Sequence, residues 1–254
     1  MRTSSALRLV TVGSLAGLLA ACGGGSTTTL SGAGSSAPAA APSSSAPAAG
    51  PLDALTADQI AGKIVTGLRD AKSVRIKGFV VDSGQKMTMD TASIAGKGCE
   101  GTISMGTKGT FQVKTIGTST WLSADRVFWG AQATKNPTVA AVLAGKWIKL
   151  SAKSDLTSLT DLCKMKDAMV KEFGSDTKTA LKKGAVTTLD GAPALTLKDT
   201  DQSTLYVSVD AAPHLLRVTS PSGEGDLTFS DYDTVPALVA PAAATVLDGK
   251  KYGV

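Results

Sequence analysis

The chain has 254 residues, with 26 Lys and Arg against 21 Asp and Glu, a net charge of +5, and only 4% aromatic residues. Without residues 1–21, which contain Arg2 and Arg8, the charge falls from +5 to +3, and no basic cluster is interleaved with aromatics, which argues against a nucleic-acid partner. About 200 residues follow the low-complexity segment, enough for one domain with a real core.

The first 21 residues read as an export signal. Arg2 and Arg8 supply a positive start, Leu9 to Leu19 a short apolar run, and small residues precede Cys22. The run is too short to span a bilayer comfortably, which takes about 20 residues. Leu19-Ala20-Ala21-Cys22 matches the bacterial lipobox, in which the signal is cut before the cysteine and the sulfur carries a diacylglycerol. This reading makes Cys22 the acylated first residue of a lipoprotein on the outer face of the cell membrane. The alternative is an ordinary signal peptide, or a transmembrane anchor, with an incidental cysteine. Residues 22–51 form the acylated cysteine and a Gly/Ser/Thr/Ala/Pro tether without charge. Such a segment buries too little apolar surface to order itself. As a coil its reach is about 30 Å.

Residues 52–254 form the predicted domain. Thr56 to Ala71 reads as a helix, with Thr56 as its cap and Ile60, Ile64, Val65 and Leu68 on one stripe. From Ser73 the period becomes two. Val74–Val81, Lys86–Thr91, Thr102–Met105, Thr110–Ile116 and Thr120–Leu122 predict an antiparallel meander punctuated by glycines. A helical middle follows at Asp125–Gln132, Thr138–Ala144 and Asp155–Phe173, interrupted by a strand at Lys146–Leu150. A second meander near Val186–Leu189, Ala194–Leu197, Thr204–Val209, Leu215–Thr219 and Asp226–Ser230 completes the chain. Asp190-Gly191 and Ser222–Gly225 are its turns. The expected fold is α+β: one large curved antiparallel sheet of about eleven strands with helices on a single face.

Two cysteines remain beside Cys22. An even remainder in an oxidising compartment predicts a Cys99–Cys163 disulfide, and two unrelated buried thiols are the alternative. Closing a loop of about 64 residues is worth roughly 4 kcal/mol in the chain-entropy model. Both flanks read as accessible. Catalytic signals are thin. His214, the one histidine, reads as a strand-end surface residue, and one histidine with two oxidised cysteines leaves zinc without ligands. Gly96-Lys97-Gly98-Cys99-Glu100-Gly101 spells a dinucleotide-binding string, but a strand follows it instead of a helix, so it reads as a hairpin turn. Asp199–Ser203 lacks the glycine and glutamate of a calcium loop. The reading is therefore a non-enzyme with no cofactor and no metal. Met87, Met89, Met105 and Met165 suit either an adaptable apolar ligand surface or ordinary core packing.

The order of elements resembles the actinobacterial LppX/LprA/LprF/LprG lipoproteins, within the wider LolA/LolB-like class. The likeness is carried by Ser73-Val74-Arg75-Ile76-Lys77-Gly78, Gly145-Lys146-Trp147-Ile148-Lys149-Leu150 and Leu205-Tyr206-Val207-Ser208-Val209-Asp210. The closing Leu227–Tyr232 and Val239-Ala240-Pro241 also fit. The resemblance implies that the sheet is a half-barrel with the helices on its concave side, and that an apolar cavity between them binds acyl chains of a lipid or glycolipid. Its lining would comprise Val80, Met87, Met89, Ile103, Met105, Phe111, Val113, Ile148, Leu205 and Val207, with Trp121, Phe128 and Trp129 at the mouth. On that reading Met89→Arg blocks lipid uptake and leaves the fold intact. The partners are then the membrane, through the anchor, and a lipid. A non-carrier module of the same fold that docks an envelope protein is the second reading.

Overall fold

The structure, a computed structural model, describes residues 50–133, 137–174 and 180–254, except the side chains of Gln132, Ala133, Leu162, Cys163 and Glu172. Cys22, the signal and all but the last two residues of the tether lie outside the described residues. The unit Ala48–Val254 is compact.

Helix α1 (Ala57–Asp70) begins at the predicted cap. The Gln59 amide donates to Thr56 Oγ1 at 3.2 Å, and the Thr56 amide donates to Gln59 Oε1 at 2.8 Å, a reciprocal capping box. Ile60, Ile64, Val65 and Leu68 are buried, as the stripe requires. The N-terminal approach is pinned by Lys183, whose Nζ donates to the carbonyls of Leu52, Asp53 and Leu55.

The first meander comprises β1 (Ser73–Asp82), β2 (Gln85–Ile94), β3 (Gly98–Ser104), β4 (Thr110–Ile116) and β5 (Ser119–Ala124). The helical middle is α2 (Arg126–Phe128), a π turn at Trp129–Ala133, α3 (Pro137–Leu143), β6 (Trp147–Lys149), a 3-10 arm at Asp155–Lys164 and α4 (Met165–Gly174). The single helix expected from Asp155 to Phe173 is thus split. Thr157 and Thr160 hydroxyls donate to carbonyls three residues back at 2.7 Å, and Ser158 does so at 2.8 Å, which holds the tighter 3-10 winding. The second meander is β7 (Lys182–Leu189), β8 (Ala192–Lys198), β9 (Thr204–Ser208), β10 (Leu215–Thr219) and β11 (Gly225–Ser230). A twelfth strand, β12 (Val246–Asp248), goes beyond the expected eleven. It is three residues long, too short for a periodic signal.

All these strands form one open sheet in the order β12-β6-β5-β4-β3-β2-β1-β11-β10-β9-β8-β7. Every neighbouring pair is antiparallel except β12 with β6. The fold is the α+β half-barrel. Pairing of β1 with β11 joins the two meanders. Gly78 (φ 147°) sits in that seam, where a Cβ would lie 1.9 Å from the Asp226 carbonyl oxygen, so glycine is required there. Asp190 and Gly191, both at positive φ, make the predicted tight hairpin.

After β11 the chain does not turn back. Asp231 (φ 53°) and Asp233 (φ 60°) take left-handed conformations and redirect it across the sheet. The Lys72 amide donates to Asp233 Oδ1 at 2.6 Å, the Val235 amide to Ser73 Oγ at 3.1 Å, and Lys114 Nζ to the Val239 carbonyl at 2.8 Å. This extended strap runs from the middle of the sheet to its β12 edge, over the polar face.

Candidate functional site

Register places the apolar residues of adjacent strands side by side. Val80 faces Met87 between β1 and β2, and Met89 faces Ile103 between β2 and β3. Ile103 faces Phe111, Val113 faces Leu122, and Leu122 faces Ile148. In the second meander Leu205 faces Leu197 and Val218, and Val207 faces Leu195 and Leu215. These side chains form one cluster with the α1 stripe. The concave-face residues expected from the sequence therefore share a face. Their burial differs. Ile103, Phe111, Ile148 and Val207 are fully buried, and Met89 is 3% exposed. Val80, Met87 and Met105 are half-buried, towards the β1–β2 hairpin.

Three expectations change. Trp121 pairs across to Lys114 and Lys149 and alternates with the fully buried Leu122, so it stands on the outer face and cannot line an interior. Phe128 and Trp129 are completely enclosed instead of lying at a mouth. The Phe128 ring packs tilted against Phe111, with centroids 5.1 Å apart, and Trp129 meets Phe128 edge to face at 5.5 Å. The indole N–H of Trp129 has no acceptor among the described residues. Arginine at the enclosed Met89 would bury an unpaired charge, so that substitution is expected to disrupt the fold and not merely to block a ligand.

An opening occurs elsewhere. A cleft of 390 Å³ lies at one end of the concave side, where the β2–β3 hairpin meets the 3-10 arm and the start of α4. Ser93, Cys99 and Thr115 line it from successive strands, Thr160 from the arm, and Lys97, Lys164 and Lys166 surround it. Its volume is within the usual range of ligand sites, about 300–1,000 Å³. Lys164 pairs with Asp161 at 2.8 Å, which raises the ammonium pKa. Lys166 is mostly covered, with Asp167 at 3.7 Å and a hydrogen bond to the Arg69 carbonyl at the end of α1. Glycines at 96 and 98 keep the hairpin slim. The dinucleotide-like string proves to be a turn and the start of β3, as expected. The flanks of its cysteine predict accessibility, but Cys99 is 2% exposed. Cys99 is disulfide-bonded, and the Cys163 side chain lies outside the described residues. No sequence motif marks this cleft, because its wall is an irregular arm that long-range packing sets against β2, β3 and β4.

No family model matches the chain, and no curated protein matches it. Among solved structures it is similar to an uncharacterized conserved protein from Thermus thermophilus, at 12% identity over 76% of this chain and 98% of that one, TM-score 0.33. It is also similar to MucB, at 12% identity over 72% of this chain, TM-score 0.30. The chain spans 59% of the length of MucB. Likenesses at this level carry no statement about activity.

His214 is half-buried, immediately ahead of β10. Its ring centroid lies 4.5 Å from that of Tyr232, and its Nδ1 has no partner among the described residues. Tyr232 donates to the Leu215 carbonyl at 2.8 Å, and burial pushes its phenol pKa up. Among the described residues no group of three or more His, Cys, Asp or Glu could hold a metal ion, and no helix is long and apolar enough to cross a membrane.

Proposed function

We propose that this chain is an envelope lipoprotein that binds a lipid or glycolipid, and transfers it, from the cleft at the hairpin end of the concave sheet. The observation that carries this reading is a 390 Å³ opening lined by Lys97, Lys164, Lys166 and Asp167, on an arm and helix whose Leu159 and Met165 pack against the apolar cluster of the sheet. An amphiphile matches that combination of charged and apolar groups. Its acyl chain would gain about 0.8 kcal/mol for each methylene taken from water. Its anionic headgroup would meet the lysines. The half-buried Leu156 and Leu159 of the arm and Met165 and Met169 of α4 offer apolar side chains there, and the methionines adapt to a chain of varied shape. The lipobox at Cys22, the tether and the resemblance to the LppX/LprG-like lipoproteins support placement beside a membrane.

The test is mass spectrometry of organic extracts from the purified protein, with uptake of a fluorescent fatty acid. Co-purified lipid and saturable uptake are expected, with uptake lost in Ser93→Trp, which fills the cleft. Absence of both lipid and uptake sinks the proposal. A second reading, a docking module without cargo, draws on the complete enclosure of Ile103, Phe111, Leu122, Phe128 and Trp129, which fills the β3–β6 half of the interior with the chain's own side chains. It predicts lipid-free extracts and a stable complex with an envelope protein.

A further inference from the structure

The convex face carries a different site. Two of the three tryptophans in this aromatic-poor chain, Trp121 and Trp147, stand on that polar side of the sheet, opposite the buried Leu122 and Ile148. Trp147 forms one wall of a 360 Å³ cleft, and Val235 and Pro236 of the strap form another. Between them run charged side chains in register. Arg75 grips Asp90 with two hydrogen bonds, of 2.6 and 2.8 Å. Lys114 holds Glu100 at 2.8 Å, its ammonium 5.8 Å from the Trp147 ring centroid. Asp231 lies 3.9 Å from Arg75.

Pairing cancels most of the field that would draw an anion into the cleft. It does not exhaust the hydrogen-bonding capacity. A carboxylate offers about four lone-pair positions, and the bidentate arginine occupies two. The Gln112 amide and the Thr102 hydroxyl add donors and acceptors on the same wall. A half-buried indole beside such groups suits a ligand with an apolar face and a rim of alternating donors and acceptors. A pyranose ring has both. We propose that the convex cleft binds a neutral sugar, one or two pyranose units of a glycan, stacked on Trp147 and hydrogen-bonded by Gln112, Asp90 and Glu100. This site lies on the opposite side of the sheet from the proposed lipid cleft and does not depend on it.

The experiment is saturation-transfer NMR on the full chain in a polyoxyethylene detergent, which has no sugar headgroup. Maltose, cellobiose and chitobiose are the probes, with choline chloride as the cationic control. Saturation transfer to the ring protons of at least one disaccharide is expected. Trp147→Ala should weaken that binding about ten-fold, the scale of one lost ring contact. Gln112→Ala, at an exposed position, should weaken it several-fold with an unchanged circular-dichroism spectrum. If Trp147→Ala does not fold, Gln112→Ala alone decides. No transfer to any of the three sugars overturns the proposal. So does binding left unchanged by Gln112→Ala, or transfer to choline in place of a sugar.

Discussion

The two faces of this sheet are made from the same strands and behave as different materials. On the concave side Phe111 is fully buried against Phe128. One residue on, Gln112 is exposed on the other side and lines the convex cleft. Burial inside is continuous and apolar. Outside, order comes from paired charges and from a strap held by hydrogen bonds to Ser73 and Lys114. The inside is therefore stiff and tolerant of salt, and the outside soft and dependent on it.

The largest test of this contrast compares the neighbours 111 and 112. Phe111→Ala leaves a cavity beside Phe128 and should cost about 3–5 kcal/mol in urea unfolding. Gln112→Ala should stay within about 0.5 kcal/mol of the wild type. Similar costs for both would mean that the register is off by one residue and the faces are exchanged.

The period-two pattern makes most of this visible in the sequence. Val74, Ile76, Met89, Ile103, Phe111 and Val113 are assignable to one face because polar residues alternate with them. Trp121 is misplaced by the same pattern, because an aromatic on the polar face breaks the rule it relies on. The strap is illegible: Thr234–Pro241 has no periodicity, and its course is set by Asp231 and Asp233 at positive φ and by contacts with residues far away in sequence. The cleft among Lys97, Lys164 and Lys166 is hidden for a similar reason. The lysines come from distant segments, and the arm's 3-10 winding shifts its side chains from the places a regular helix would give them.

Next in size is the covalent tie at the cleft. Cys99→Ser removes its disulfide and should cost roughly 2–5 kcal/mol. With Cys163 as the partner, peptide mapping without reductant finds the two linked, and Cys163→Ser costs the same. A smaller effect belongs to helix α1. Thr56→Ala removes one arm of the capping box and should cost about 1 kcal/mol, restored in Thr56→Ser.

The smallest effect concerns the convex charges and depends on pH. The hydrogen bond from Arg75 holds the Asp90 carboxyl below its ordinary value, assisted by the positive charges of Arg75 and Lys77, and burial opposes this. A depressed folded-state pKa means that the unfolded chain binds the proton more readily. The stabilisation is then complete above the unfolded value, about 3.9, and is lost as pH falls below it through the folded value. Asp90→Asn should therefore be less stable than the wild type at pH 6, and the gap should close only as the pH is taken below the unfolded value. The gap at pH 6 should be at most about 1 kcal/mol, because the partners are partly exposed, and should shrink in 1 M salt. Phe111→Ala measured alongside should keep its full cost in the same salt. A gap at Asp90 that salt leaves untouched would place this pair in a dry environment, and the convex face would then share the character of the concave one.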